Sequence, residues 1–75
     1  MSKIDLKQVI SIVSKNIKVH VKDININSKS SDFYQWDSLA HLKIMLAFEK
    51  MNNKKINTTK ISELDSIKKI FDYLG

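Results

Sequence analysis

Apolar residues fall along this chain in runs of helical spacing, interrupted by one stretch in which they alternate. In the first run Leu6, Ile10, Val13 and Ile17 recur three or four residues apart, flanked by Val9 and Ile12. Such spacing places them on one face of a 3.6-residue repeat and predicts a helix over about residues 3–16. Ser2, with Asp5 three residues later, supplies a start signal. In the next stretch Ile17, Val19 and Val21 alternate, as do Ile24 and Ile26, which reads locally as two strands around Lys22-Asp23. An isolated two-stranded ribbon is only marginally stable and no third strand follows. The expectation is therefore a long, partly extended loop whose apolar residues tuck against helices. Its most polar part, Asn27 to Asp32, is expected to be the freest tip.

The strongest helical signal runs from Ser38 to Met51, with Asp37 as its N-cap. Ile56 then resumes burial, and Thr58 or Thr59 is placed to cap a short helical turn carrying Ile61 and Leu64. Asp65 or Ser66 opens a last helix with Ile67, Ile70, Phe71 and Leu74 on one face. The sum is three main helices and one short one around a single core, an all-α bundle spanning residues 1–75 as one domain.

The middle helix carries more apolar surface than one core face needs. At about 100° per residue its side chains separate into two stripes. Ile44, Met45 and Phe48 form one, with His41 at its edge. Leu39, Leu42 and Leu46 form the other, starting one residue after Ser38, with Lys43 and Lys50 on one flank and Glu49 on the other. Two arrangements satisfy the pattern: both stripes buried in a central helix, or one buried and the other exposed and ringed by charge as a small docking surface.

Composition narrows the chemistry. A chain of 75 residues buries only about 60% of the surface its unfolded form exposes, so a deep enclosed active site is not expected. The absence of cysteine removes disulfides, thiolate metal sites and cysteine nucleophiles. His20 and His41 are too far apart for a local metal motif, and no metal is expected. No apolar run approaches the roughly 20 residues of a membrane span, and the opening residues do not read as a signal peptide, which implies a cytoplasmic protein with no membrane partner. The net charge is +5, carried entirely by lysine on the basic side. It is uneven: residues 32–51 hold Asp32, Asp37 and Glu49 against Lys43 and Lys50, making the middle helix the least basic part of the chain. A nucleic-acid surface centred there would be the most basic part instead.

Ser38, at the first helical position, is expected to face solvent at the positive end of the helix dipole. A phosphodiester attached there would be favoured by the dipole and by unpaired first-turn N–H groups. A nucleophilic serine would instead need a base and an oxyanion site. His41 lies three residues on, yet no G-x-S-x-G turn and no residue to orient its imidazole accompany it. The third possibility is that the Asp-Ser pair merely caps the helix.

The segment WDSLAHLKIMLAFEKMNNKKI, followed by ISELDSIKKIFDYL, resembles the acyl carrier proteins. The resemblance covers nearly the whole chain: an opening helix, a long loop, Asp37-Ser38-Leu39 at the start of the second helix, a short third helix and a closing Asp72-Tyr73-Leu74 helix. It implies a bundle of that family's kind and a 4′-phosphopantetheine arm esterified to Ser38, donated from coenzyme A by a phosphopantetheinyl transferase. The thiol of that arm would supply the sulfur that the chain lacks. By the same resemblance Asp37 caps the helix and helps the transferase recognise it, with Leu39 beside the arm. Leu42, Lys43, Leu46, Glu49 and Lys50 would meet partner enzymes that load an acyl or aminoacyl group and pass it on as a thioester. The chain itself would be no enzyme and would act as a monomer.

Three features depart from that family. Gln35 stands where a glycine is usual shortly before the serine, and Trp36, which precedes Asp37, either packs over the helix start or closes the rim of the core. Lys43 and Lys50 occupy positions that are often acidic in the members serving fatty-acid synthesis, whose acidic faces meet basic enzymes. The whole chain is basic where many carriers are acidic. These departures point to a free-standing carrier in a specialised pathway, of lipid or secondary-metabolite type, rather than in bulk fatty-acid synthesis. The rival readings are a small basic helical protein that binds nucleic acid, or an adaptor with a carrier-like fold. The lack of arginine and of any base-reading motif weighs against the first.

Overall fold

The computed structural model describes residues 4–53 and 55–74. Four helices follow in order: α1 (Leu6–Ile17), α2 (Ser38–Asn52), α3 (Thr58–Glu63) and α4 (Ile67–Leu74). Two 3-10 turns, Val21–Asp23 and Ser30–Asp32, interrupt the long loop between α1 and α2. Among the described residues there is no strand, only an isolated antiparallel bridge between Lys29 and Ser66. The protein is a small all-α bundle in which α1 packs against both α2 and α4.

Local chemistry sets each helix boundary. Asp5 caps α1 by accepting the Gln8 N–H at 2.9 Å, while the Gln8 side chain accepts the Asp5 N–H at 2.9 Å. This reciprocal pair satisfies two amides that a helix start otherwise leaves open. It places the first residue of α1 at Leu6, where the apolar periodicity begins, and makes Asp5 the cap in place of the expected start near residue 3; Ser2 lies outside the described residues. α1 runs through Ile17 and stops at Lys18, whose backbone turns left-handed at φ 59° and whose N–H closes onto the Ser14 carbonyl. α2 ends the same way at Asn53, φ 54°. Asparagine tolerates that conformation better than most residues, which suits it to stop a helix where glycine is absent. α3 is capped by Asn57, which accepts the Thr59 N–H at 2.9 Å, rather than by Thr58 or Thr59; both threonines sit within the first turn. Of the two residues proposed to open α4, it is Ser66 whose hydroxyl accepts the Lys69 N–H, at 3.2 Å.

The core draws Val9, Val13 and Ile17 from α1, Ala40, Ile44, Met45 and Phe48 from α2, and Ile67 and Ile70 from α4. Ile4, Ile24, Trp36, Ile56 and Leu64 close it from the connecting segments. Ile10, Phe71 and Leu74 are half-buried against it. The loop behaves as expected at Ile24, which is buried, but Val21 is exposed. The stretch Asn27 to Asp32 is not a free tip. Ser28 is buried and its carbonyl accepts the Ile67 N–H at 3.0 Å, while Ser30 N–H donates to the Asp65 carbonyl at 2.8 Å. The start of α4 leaves amides without helical partners, and the loop supplies an acceptor for one of them, that of Ile67. No helix among the described residues is long and apolar enough to cross a membrane.

Candidate functional site

Asp37 holds extended backbone, φ −91° and ψ −175°, and its Oδ1 accepts the Ala40 N–H at 2.9 Å. Its carbonyl accepts the His41 N–H at 2.9 Å, the first hydrogen bond of the α2 ladder. Ser38 is thereby fixed at the first helical position, exposed to solvent. Its hydroxyl makes no hydrogen bond among the described residues. The N–H groups of Ser38 and Leu39 point out of the helix end with no acceptor there, and no acidic side chain of the first turn competes for them. An anionic group carried on the Ser38 oxygen would meet both the amides and the dipole.

The approach to Ser38 needs no glycine. The Trp36 N–H donates to the Phe33 carbonyl at 3.1 Å, closing a turn through Tyr34 and Gln35. Positive φ among the described residues occurs only at Lys18 and Asn53, so Gln35 is at negative φ and its Cβ is tolerated. Trp36 itself is buried in the core rim and reaches across the helix start at the same time. Its indole N–H donates to Nδ1 of His41 at 3.0 Å. The other ring nitrogen, Nε2, meets the carbonyl of Ile61 in α3. Since Nδ1 accepts, the imidazole proton resides on Nε2, where it donates. Both nitrogens are engaged away from Ser38, and His41 has none left with which to take a proton from it.

The two stripes of α2 separate cleanly. Ile44, Met45 and Phe48 are buried, whereas Leu39 is 63% exposed, Leu42 51% and Leu46 59%. The leucines begin next to Ser38 and run down the solvent side of the helix, with Lys43 and Lys50 exposed beside them. Glu49, expected on the same surface, is half-buried and already has a local role: its Oε2 accepts the Ile56 N–H at 2.8 Å. Sequence reasoning missed the Trp36–His41–Ile61 chain because its ends lie on different elements. It also missed Tyr34, 91% exposed just ahead of the serine, for which the turn residues alone give no signal. No group of three His, Asp or Glu side chains among the described residues is arranged to hold a metal ion.

No protein-family model matches this chain, and no curated protein matches it at significant similarity.

Proposed function

We propose that this chain is a free-standing carrier, modified on Ser38 by 4′-phosphopantetheine and serving partner enzymes that load and unload an acyl or aminoacyl thioester. What supports it most is the single arrangement at the head of α2: an exposed, unengaged hydroxyl at the first helical position, followed by an exposed leucine stripe. The residues suit such an arm. Ser38 Oγ would form the ester to phosphorus, releasing the adenosine bisphosphate part of coenzyme A and giving its proton to the transferase. The Ser38 and Leu39 amides would then hold the phosphodiester oxygens, and Asp37 keeps the helix start in register by its cap to Ala40. The arm supplies a thiol, which a chain without cysteine lacks. The chain performs no catalysis on its cargo, and the exposed face of α2 presents the arm to enzymes that do. Its departures from the acidic pattern of fatty-acid carriers favour a specialised pathway.

The decisive test is co-expression with a broad-specificity phosphopantetheinyl transferase, followed by intact-protein mass measurement. The expected result is one added phosphopantetheinyl group in the wild type and none in Ser38→Ala. An unmodified wild type, or an adduct that survives Ser38→Ala, would defeat the proposal.

A further inference from the structure

Two shallow grooves flank the leucine stripe of α2. One is lined by Lys43, Leu46, Glu49, Lys50 and Lys55. The other, toward the end of α1, is lined by Lys18, Tyr34, Asp37, Leu39 and again Lys43. The face that starts at Ser38 is therefore apolar along its centre, with Lys43 and Lys50 along one flank and Glu49 on the other. Each of its two carboxylates keeps its charge and accepts one backbone N–H, Asp37 from Ala40 and Glu49 from Ile56, and four lysines outnumber them. The ion pairs among the described residues are Lys60–Glu63, Lys68–Asp72 and Lys69–Asp65, all on the α3–α4 side of the molecule. Lys18, Lys43, Lys50 and Lys55 take part in none of them.

We infer that the partners of this face are proteins with an acidic-rimmed apolar recess. Leu42 and Leu46 enter the recess, and Lys43, Lys50 and Lys55 meet its carboxylates. The inference builds on the carrier reading for what the partners do, and names the surface they must present. Charge complementarity at the rim chiefly sets encounter rate and partner choice, while the buried apolar centre holds the complex. A basic enzyme face would bring like charges together and be rejected. A second copy of the chain would oppose its own lysines. Nucleic acid would satisfy the lysines but leave Leu42 and Leu46 facing water or a phosphate backbone, with nothing to bury them against.

The test uses the full unmodified chain, labelled with nitrogen-15, so it does not depend on Ser38 accepting an arm. It is titrated with two synthetic amphipathic helical peptides that share one leucine face and differ only in a Glu or a Lys rim, and separately with a single-stranded oligonucleotide. The Glu-rimmed peptide is expected to shift the amides of residues 38–50 and of Lys55, and to lose affinity about tenfold or more as salt rises from ~0.05 to ~0.5 M. Lys43→Glu/Lys50→Glu is expected to bind the Lys-rimmed peptide instead. If that variant fails to fold, Lys43→Gln/Lys50→Gln should still weaken the Glu-rimmed peptide. Equal binding of both peptides by the wild type, shifts centred on the α3–α4 side, self-association without peptide, or tighter binding of the oligonucleotide on the same residues would each overturn the inference. Failure to load Ser38 in the mass experiment, with peptide selectivity intact, would instead sink the carrier reading alone.

Discussion

The indole N–H of Trp36 donates to Nδ1 of His41 at 3.0 Å, while the opposite nitrogen of the same ring meets the Ile61 carbonyl. One imidazole thus joins the loop before α2, the first turn of α2, and α3. This matters because α3 contributes no fully buried side chain of its own. Removing the imidazole orphans a donor on a buried tryptophan, a loss of roughly 1–3 kcal/mol. His41→Ala is expected to destabilise by about that much in urea unfolding followed by circular dichroism. In a Trp36→Phe background the same change should cost clearly less, since the donor is gone. Equal costs in both backgrounds would show that the two rings are not coupled.

Ser38 and Asp37 should separate modification from stability. Ser38→Ala removes an exposed hydroxyl with no hydrogen bond and should change stability by less than about 0.5 kcal/mol. Asp37→Ala removes the cap to Ala40 and should cost about 1 kcal/mol. Asp37→Asn keeps an acceptor and should restore most of that stability. If Asp37→Asn folds like the wild type yet is loaded more slowly by the transferase, the carboxylate has a role beyond the cap, and initial rates of arm addition would reveal it.

The two faces of α2 should respond oppositely to substitution. Leu42→Gln and Leu46→Gln change exposed positions and should leave the thermal midpoint nearly unmoved while impairing transfer to partner enzymes. Phe48→Ala empties a fully buried site, and truncations of that size cost about 3–5 kcal/mol. Small domains have about 5–15 kcal/mol in total, so this variant should be largely or wholly unfolded at elevated temperature. Loss of helicity in the leucine variants would reverse the assignment of the faces.

Glu49 ties down the return of the chain after α2. Glu49→Ala frees the Ile56 N–H, whose bond to a carboxylate is worth about 1.5–3 kcal/mol where water is excluded and less at this half-buried position. The Ile56 amide should exchange with deuterium markedly faster in that variant, and Glu49→Gln, which retains an acceptor oxygen, should restore most of the protection. Unchanged exchange at Ile56 would mean the bond does not persist in solution.

Much of the architecture was legible from residue order because the forces that set helices act over three or four positions. The helical spacing through Val13 and Ile17 and the cap at Asp37 are of that kind, although the fully buried face of α1 runs through Val9, Val13 and Ile17 and leaves Leu6 and Ile10 half-buried. Cap choice among adjacent polar residues was less legible: Asn57 outcompetes Thr58 because its side chain reaches the amide two residues on. The polar stretch 27–32 misled for a different reason. Most of its side chains do face water, but the backbone groups of Ser28 and Ser30 pair with Ile67 and Asp65, far away in sequence, and that pairing does not depend on side-chain polarity.

By itself the sequence determined the helical class, the place of Ser38 at the head of α2, and the existence of two apolar stripes on that helix. Periodicity left undecided whether both stripes would be buried or only one, since a helix apolar on two sides can be central or peripheral until its neighbours arrive. Tertiary packing made that choice: α1 and α4 bury Ile44, Met45 and Phe48 and leave Leu39, Leu42 and Leu46 to the solvent. It likewise brought Ile61 to His41 across 20 residues of chain, a contact no local pattern encodes because only the folded path places those groups together.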